Sequence, residues 1–253
     1  MNKLYEPDVC ILKKFSDEKF KLTLFKSLRI KGLEAPTTQE WIRGTKNTEK
    51  LGVSISRARS TIFELAFCND WDFFCTFTLD GKKYNRHDLK KFSRAFSRWI
   101  SKNGYGKIKY LIIPETHKDG AWHLHGFIKG IQKEQLTEFT LNDHIPIHIL
   151  EKLQQGLKVY DWKEYKKEFG WVNLEPIRNK EAASKYVTKY ISKNLESSVK
   201  ELNANLYYCS KGLKRAEEIK RGILLESTPF VWENEYVKIA WLADENKAVK
   251  LIL

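Results

Sequence analysis

The segment WDFFCTFTL, residues 71–79, constrains the fold more than any other part of the sequence. Apolar side chains occupy every second position along it: Phe73, Cys75, Phe77 and Leu79. The positions between them hold Phe74, Thr76 and Thr78, so the two sides of the segment differ in polarity. This alternation predicts a β-strand with two different faces.

The segments that follow extend this strand into a domain. Four of them show regular patterns: a helix over 86–102, strands over 107–114 and 121–129 that pair as a hairpin, and a fourth strand over 171–177. A helical stretch is predicted for much of 132–168, with interruptions near Pro146 and Gly156. Asn179 can cap a helix from residue 180 to about 195. This order of elements predicts an α+β domain with a mainly antiparallel sheet.

The chain is long enough for one sizeable core with extensions. We expect the core domain to cover residues 56–200 and to begin with a helix at 56–68. Residues 1–55 are weakly patterned and form an N-terminal extension. Residues 201–253 form a basic C-terminal extension that contains a strand over 230–241, and we expect it to pack on the same domain.

The net charge of +13 indicates a polyanionic partner, because each neutralised phosphate of a nucleic acid releases counterions and adds affinity. The first twenty residues lack the apolar core of a signal peptide, and no apolar run is long enough to span a bilayer. The four cysteines form no CxxC pair, which favours a reducing compartment. We therefore expect a soluble protein of the cytoplasm, in a bacterial host.

Two histidines, His123 and His125, lie two residues apart on the strand predicted over 121–129. Alternation points both imidazoles to one face and Leu124 to the other, so the pair can hold one divalent ion. The hairpin would bring Glu115 near the pair and complete a three-ligand site, although His117 is an alternative third ligand. Two imidazoles and a carboxylate suit zinc, Mg²⁺ or Mn²⁺, and of the last two the imidazoles favour Mn²⁺. We interpret the other pair, His144 and His148, as structural.

A doubled Tyr-x-x-Lys unit lies on the helix predicted after Asn179. Tyr186 and Tyr190 are one helical turn apart, and Lys189 and Lys193 follow them by three residues each. A phenol, with a pKa near ~10, is a poor nucleophile unless a metal ion polarises the phosphate it attacks and a cation neutralises the developing charge. The same pattern is also typical of an amphipathic helix with boundary tyrosines and solvated lysines.

Taken together, FCTFTL, HLHGF and YVTKYISK resemble, in their order, the three motifs of HUH replication initiators. The doubled tyrosine is similar to the two-tyrosine subgroup of small single-stranded DNA phages, filamentous phages and related prophage elements. The resemblance covers about residues 56–215 and includes LYYCSKGLKRAE, which looks like phage-type initiators. It implies an HUH endonuclease domain of RRM or ferredoxin-like fold.

The resemblance also implies residue roles. His123 and His125 match the metal-binding histidines and Glu115 the acidic ligand, with Mg²⁺ or Mn²⁺ as cofactor. Tyr186 and Tyr190 match the two nucleophiles, accompanied by the two lysines, whereas the threonines of the first motif match a structural or DNA-positioning role. By this analogy a tyrosine nicks the origin in single-stranded DNA, becomes linked to its 5′ end and leaves a 3′ hydroxyl for a polymerase. No GxxxxGK[ST] segment is present, so a host helicase would unwind the DNA.

Two basic segments flank the predicted site. Residues 82–109 hold ten Lys or Arg against one acidic residue, and residues 178–193 hold five against one. We expect phosphate contacts from both. The candidate DNA-binding residues are Arg86, Lys90, Arg94, Arg178 and Lys185.

Several other functions fit parts of the pattern. Another HUH enzyme is one, but relaxases usually place the tyrosine before the histidines, and single-strand transposases are commonly shorter with one tyrosine. A non-catalytic DNA-binding protein or repressor would need neither metal nor tyrosines. A zinc hydrolase built on the histidines would tolerate loss of both tyrosines.

Overall fold

The structure is a computed structural model that describes residues 5–6, 8–29, 48–103, 107–117, 119–187, 205–226 and 228–253. The chain divides into two compact units, residues 44–213 and residues 1–43 with 214–253. This division differs from the predicted boundaries at 55/56 and 200/201. The reason is that strands near the two ends of the chain pair with each other in one sheet, and local sequence patterns do not reveal such long-range pairing.

The described strands, numbered along the chain, are β1 (Tyr5–Glu6), β2 (Val9–Ser16), β3 (Lys19–Phe25), β4 (Leu28–Arg29), β5 (Phe73–Thr78), β6 (Lys109–Thr116), β7 (Trp122–Lys129), β8 (Leu136–Glu138), β9 (Tyr160–Trp162), β10 (Val172–Pro176), β11 (Tyr208–Cys209), β12 (Glu217–Ile223), β13 (Trp232–Glu233) and β14 (Val237–Leu242). The described helices are α1 (Thr48–Cys68), α2 (Leu89–Lys102), α3 (Ile147–Gln154), α4 (Lys163–Glu168), α5 (residues 180–187) and α6 (Glu245–Lys250). Among them, no helix is both long and apolar enough to cross a membrane.

The larger unit is built on a seven-stranded sheet in the order β11-β6-β7-β5-β10-β9-β8. Every neighbouring pair in this sheet is antiparallel. The succession β5, α2, β6, β7, α4, β10 is consistent with a ferredoxin-like βαββαβ unit. The predicted α+β class with an antiparallel sheet is therefore confirmed.

Helices cover both faces of this sheet because alternate strand residues are apolar on each face. On the first face, here the α2 face, buried side chains of the strands pack against α2 and α4: Cys75, Phe77, Ile112, Leu124, Ile128, Val172 and Leu174 from the strands, and Leu89, Phe92, Phe96, Ile100 and Tyr165 from the helices. On the second, the α5 face, the strands pack against α1 and α5: Leu111, Ile113 and Phe127 from the strands, and Ile62, Leu65, Ala66 and Val187 from the helices.

The strands predicted over 71–79, 107–114, 121–129 and 171–177 are confirmed as β5, β6, β7 and β10. The cap is also confirmed, because the Ala182 N–H donates to Asn179 Oδ1 at 2.8 Å. The continuous helical stretch over 132–168 is wrong. Only α3 and α4 are helical there, and two short strands, β8 and β9, extend the sheet beyond β10. Burial of Trp162 in the α2-face core accompanies this pairing and outweighs local helix preference.

The smaller unit contains a five-stranded antiparallel sheet in the order β12-β2-β3-β14-β13. Its core lies between this sheet and α6, with Leu12, Leu22 and Ala248 among the fully buried residues. The single strand predicted over 230–241 is a hairpin, since the Asn234 side chain accepts hydrogen bonds from two N–H groups of the turn.

Candidate active site

A cleft of about 1140 Å³ opens on the α5 face of the larger unit. It is lined by β5, β6, β7, β10, α3, α5 and the loop before α5. We call it the histidine cleft; its polar and aromatic lining residues are Phe74, Thr76, Glu115, His117, His123, His125, His148, Lys152, Asn173, Glu175, Arg178, Asn179 and Tyr186.

The strand register brings the predicted ligands together. His125 is paired with Thr76 across β7 and β5, and His123 is paired with Glu115 across β7 and β6. Leu124, between the histidines, is fully buried on the α2 face. The strand is thus anchored from behind, which fixes where both imidazoles lie.

Gly126, the residue after His125, permits close contact between β7 and β6. A Cβ at this position would overlap the backbone oxygen of Leu111, far inside van der Waals contact. Gly126 is paired with Ile112 in the ladder that carries His125 and Glu115. Any side chain here would therefore push apart the two strands that hold the site.

His125 makes the best-defined contacts in the cleft. Its Nε2 is 2.8 Å from Glu115 Oε2, and its Nδ1 is 3.1 Å from the Thr76 hydroxyl. Because a carboxylate only accepts, Nε2 donates to Glu115, and Nδ1 then accepts from Thr76. The side chains of His125 and Glu115 are 12% and 22% exposed, so this pair is shielded but reachable from the cleft.

His123 lies in a more cationic environment. Thr78 Oγ1 is 3.5 Å from its Nδ1, a long contact, and the His117 ring stacks on it with centroids 5.1 Å apart. Burial lowers the pKa of His123, and the neighbouring His117, His125 and Arg86 lower it further, although Glu115 acts in the opposite direction. His123 is therefore held in the neutral form, which is the form that binds metal ions.

The donor set fits a divalent ion in type, with two imidazoles and a carboxylate on one face. In the part of the chain that the structure describes, however, no three His, Cys, Asp or Glu side chains converge as ligands around one point. Glu115 instead bonds directly to His125, where an ion would replace the shared proton. Since His117 stacks on His123, it stays an alternative third ligand.

Tyr186 lies on the wall of the cleft formed by α5. Ala183 and Val187 dock this helix into the α5-face core, and the Tyr186 side chain remains 47% exposed. Its ring centroid is 5.6 Å from that of Phe74, which in turn stacks on His125 at 6.5 Å. The phenol and the histidines thus share one cleft. Tyr190, Lys189 and Lys193 lie outside the described residues.

The predicted DNA-binding residues separate into two groups. Arg178 lines the cleft, and Lys185 lies on α5, paired with Glu181 at 2.9 Å. Arg86 is held 3.8 Å from Asp119, in the loop that precedes β7. Lys90 and Arg94 are exposed on α2, which covers the opposite face of the sheet, so the structure does not bring them to the cleft.

Sequence reasoning missed four cleft residues: His148, Lys152, Asn173 and Glu175. His148 was interpreted as structural together with His144, yet it lines the cleft from α3, one helical turn before Lys152. The four-residue spacing of these two side chains was the available signal. Nothing in the sequence indicated that α3 would face the histidines, because that depends on β8 and β9.

Comparison with known proteins found a family model described as Replication-associated protein, of the ORF2/gene II protein type, which matches residues 72–195. The match covers just under half of the chain and includes all residues that line the histidine cleft. It supports a replication-associated protein and, in general, a role in initiating replication. Searches of curated proteins and of solved structures found no match.

Proposed function

We propose that this chain is a metal-dependent, single-stranded DNA endonuclease and strand transferase of the HUH class that initiates rolling-circle replication. The observation that carries the proposal is the shared cleft: the Tyr186 phenol and the His123, His125 and Glu115 side chains line the same cavity. The similarity of residues 72–195 to replication-associated proteins supports a role of this kind.

In this proposal His123, His125 and Glu115 hold Mg²⁺ or Mn²⁺. When bound there, the ion would polarise the scissile phosphate and so compensate for the weak nucleophilicity of a phenol. The neutral state of His123 and the Glu115 carboxylate suit this role, since ligands must be available in their deprotonated forms.

The reaction is a transesterification on the protein's own tyrosine. The Tyr186 oxygen attacks the phosphorus, an O–P bond to tyrosine forms, and the bond from phosphorus to the 3′ oxygen breaks. The phenol loses a proton and the 3′ oxygen gains one, so the products are a 5′-phosphotyrosine link and a free 3′ hydroxyl. A second attack, from Tyr190, would release the copied strand, with Lys189 and Lys193 neutralising phosphate charge.

Single-stranded DNA would enter along the basic edge of the cleft. Arg178 lines this edge, and Lys185 lies on the same helix as Tyr186. Both can contact phosphates, which position the strand without reading its sequence. A host helicase and polymerase would supply unwinding and synthesis.

The test is covalent adduct formation. Purified protein is incubated with labelled single-stranded fragments tiled across the DNA of its own replicon, with Mn²⁺ or with EDTA, and run on denaturing gels. We expect an adduct that needs Mn²⁺, is lost in His125→Ala, and is lost when Tyr186→Phe and Tyr190→Phe are combined. His144→Ala and Tyr236→Phe, whose residues are exposed and do not line the cleft, serve as matched controls.

Two outcomes would contradict the proposal. Binding in EDTA without any adduct on any fragment would leave a non-catalytic DNA-binding protein. An adduct or cleavage that persists in the double tyrosine variant would instead point to a hydrolase that uses the metal site alone.

A further inference from the structure

The wall of the histidine cleft opposite α5 contains polar groups that the proposed chemistry does not use. Strand β10 contributes Asn173 and Glu175, and α3 contributes His148 and Lys152. Leu174, between the first two, is buried on the α2 face, so Asn173 and Glu175 both point to the cleft side of the sheet.

Asn173 is the unusual member of this wall. It is only 3% exposed, and no donor among the described residues lies within hydrogen-bonding distance of its Oδ1. A buried acceptor without a donor is destabilising, so such a group in a cleft needs a specific explanation. The terminal torsion of an asparagine is soft, and the amide can turn toward the cleft without moving the strand.

The strand register places Asn173 beside the histidines. It is paired with Thr76, which is paired with His125, so the three residues lie in one row across β10, β5 and β7. Two strand spacings separate Asn173 from His125, or about 10 Å. A group bound at Asn173 is therefore a neighbour of a phosphate held at the histidines rather than the phosphate itself.

Glu175 supplies a second acceptor on the same strand. One of its oxygens is held by Lys152 at 2.7 Å, which ties α3 to β10 and neutralises a negative charge that would repel DNA. The hydrophobic side of α3, with Ile149 and Leu153, packs away from the cleft in its own small core. The wall thus presents acceptors, which a ligand with a hydrogen-bond donor would satisfy.

We propose that this wall is a base-reading subsite, in which Asn173 and Glu175 accept hydrogen bonds from the exocyclic amino group of a nucleobase next to the scissile phosphate. Adenine and cytosine present such a donor on their major-groove edges, whereas thymine presents acceptors. The inference rests on the proposed function for its substrate, single-stranded DNA. It makes Asn173 a specificity-determining residue and gives it no part in the chemical step.

The experiment measures equilibrium binding in EDTA, so that it does not depend on cleavage. The probe is the tightest-binding fragment from the replicon, with deoxyinosine substituted for each adenine and deoxyuridine for each cytosine, one position at a time. Each substitution replaces only the amino group by a carbonyl. For wild type we expect about a tenfold loss of affinity at one position, and the substitution responsible tells adenine from cytosine.

Two variants then test the residue. Asn173→Ala should bind the original and the substituted fragment equally at that position. Asn173→Leu, of similar volume, should also lose the preference, and its melting temperature should not fall, because the buried acceptor is removed. Asn142→Ala, at an exposed position outside the cleft, should keep the full tenfold preference.

The subsite and the endonuclease fail in different ways. If wild type is insensitive to every substitution, or a folded Asn173 variant keeps the preference, the subsite is refuted even when Mn²⁺-dependent adducts form. If the preference depends on Asn173 but no adduct forms, the subsite stands and the catalytic proposal falls.

Discussion

Replacing Thr76 by Val tests whether the first strand motif acts on the metal site through His125. The hydroxyl of Thr76 is 3.1 Å from His125 Nδ1, and Val replaces it by a methyl group of nearly the same size. A hydroxyl can donate to Nδ1 when Nε2 carries the proton, and can accept from Nδ1 when Nε2 binds a metal ion. Val can do neither, so one imidazole nitrogen of a largely buried ring loses its partner.

Two magnitudes follow from this contact. The lost hydrogen bond should reduce the free energy of unfolding by about 0.5–1.5 kcal/mol. Groups that orient a metal-binding histidine typically change metal affinity by about 10- to 100-fold, which corresponds to about 1.4–2.7 kcal/mol. We therefore expect Thr76→Val to remain folded and to need roughly 10 to 100 times more Mn²⁺ for half-maximal adduct formation, with an adduct yield close to wild type at saturating Mn²⁺.

The assay is a Mn²⁺ titration of adduct formation, together with calorimetric Mn²⁺ binding and urea unfolding of the same preparations. Thr78→Val is the matched control, because its hydroxyl is 3.5 Å from His123 Nδ1 and contributes less. The reasoning would be refuted if Thr76→Val bound Mn²⁺ like wild type while His125→Ala did not bind it. It would also be refuted if Thr78→Val had the larger effect.

Two further predictions concern the frame of the site and its DNA contacts. Gly126→Ala should lower the free energy of unfolding by roughly 1–3 kcal/mol or more in urea denaturation, because the new Cβ would overlap the Leu111 oxygen; unchanged stability would contradict the close approach of β6 and β7. Arg178→Ala should weaken single-stranded DNA binding on all sequences and reduce the slope of log affinity against log salt by about 0.7–1, whereas Lys90→Ala, on the opposite face, should leave the slope nearly unchanged. Fluorescence anisotropy over a salt series measures both, and equal effects would show that DNA also contacts α2.

Much of the candidate site could be predicted because it depends on short-range periodicity. The two-residue spacing of His123 and His125 places them on one face of any strand, and a hairpin between adjacent strands brings Glu115 opposite them. Asn179 begins α5 where a capping residue is expected, and that start places Tyr186 in the second turn of the helix, beside its apolar stripe. These relations hold whatever the rest of the chain does.

Other parts of the site could not be predicted, because they depend on which elements meet. The basic pattern of α2 gave no information on the face it covers, and its apolar side packs on the face away from the histidines. His148 and Asn173 come from segments whose local patterns indicated no site. They reach the cleft because β8 and β9 extend the sheet beyond β10 and α3 docks beside them.

The sequence by itself determined the α+β class, the strand that carries the histidines, and the helix that carries Tyr186, because alternation, helical spacing and capping act over a few residues. Only the tertiary structure decided that β2 and β12, more than 200 residues apart in sequence, pair in a sheet of the smaller unit. It alone also decided which polar groups share the histidine cleft. Strand pairing and helix docking are selected by the burial of whole faces, and that selection compares distant segments that no local pattern connects.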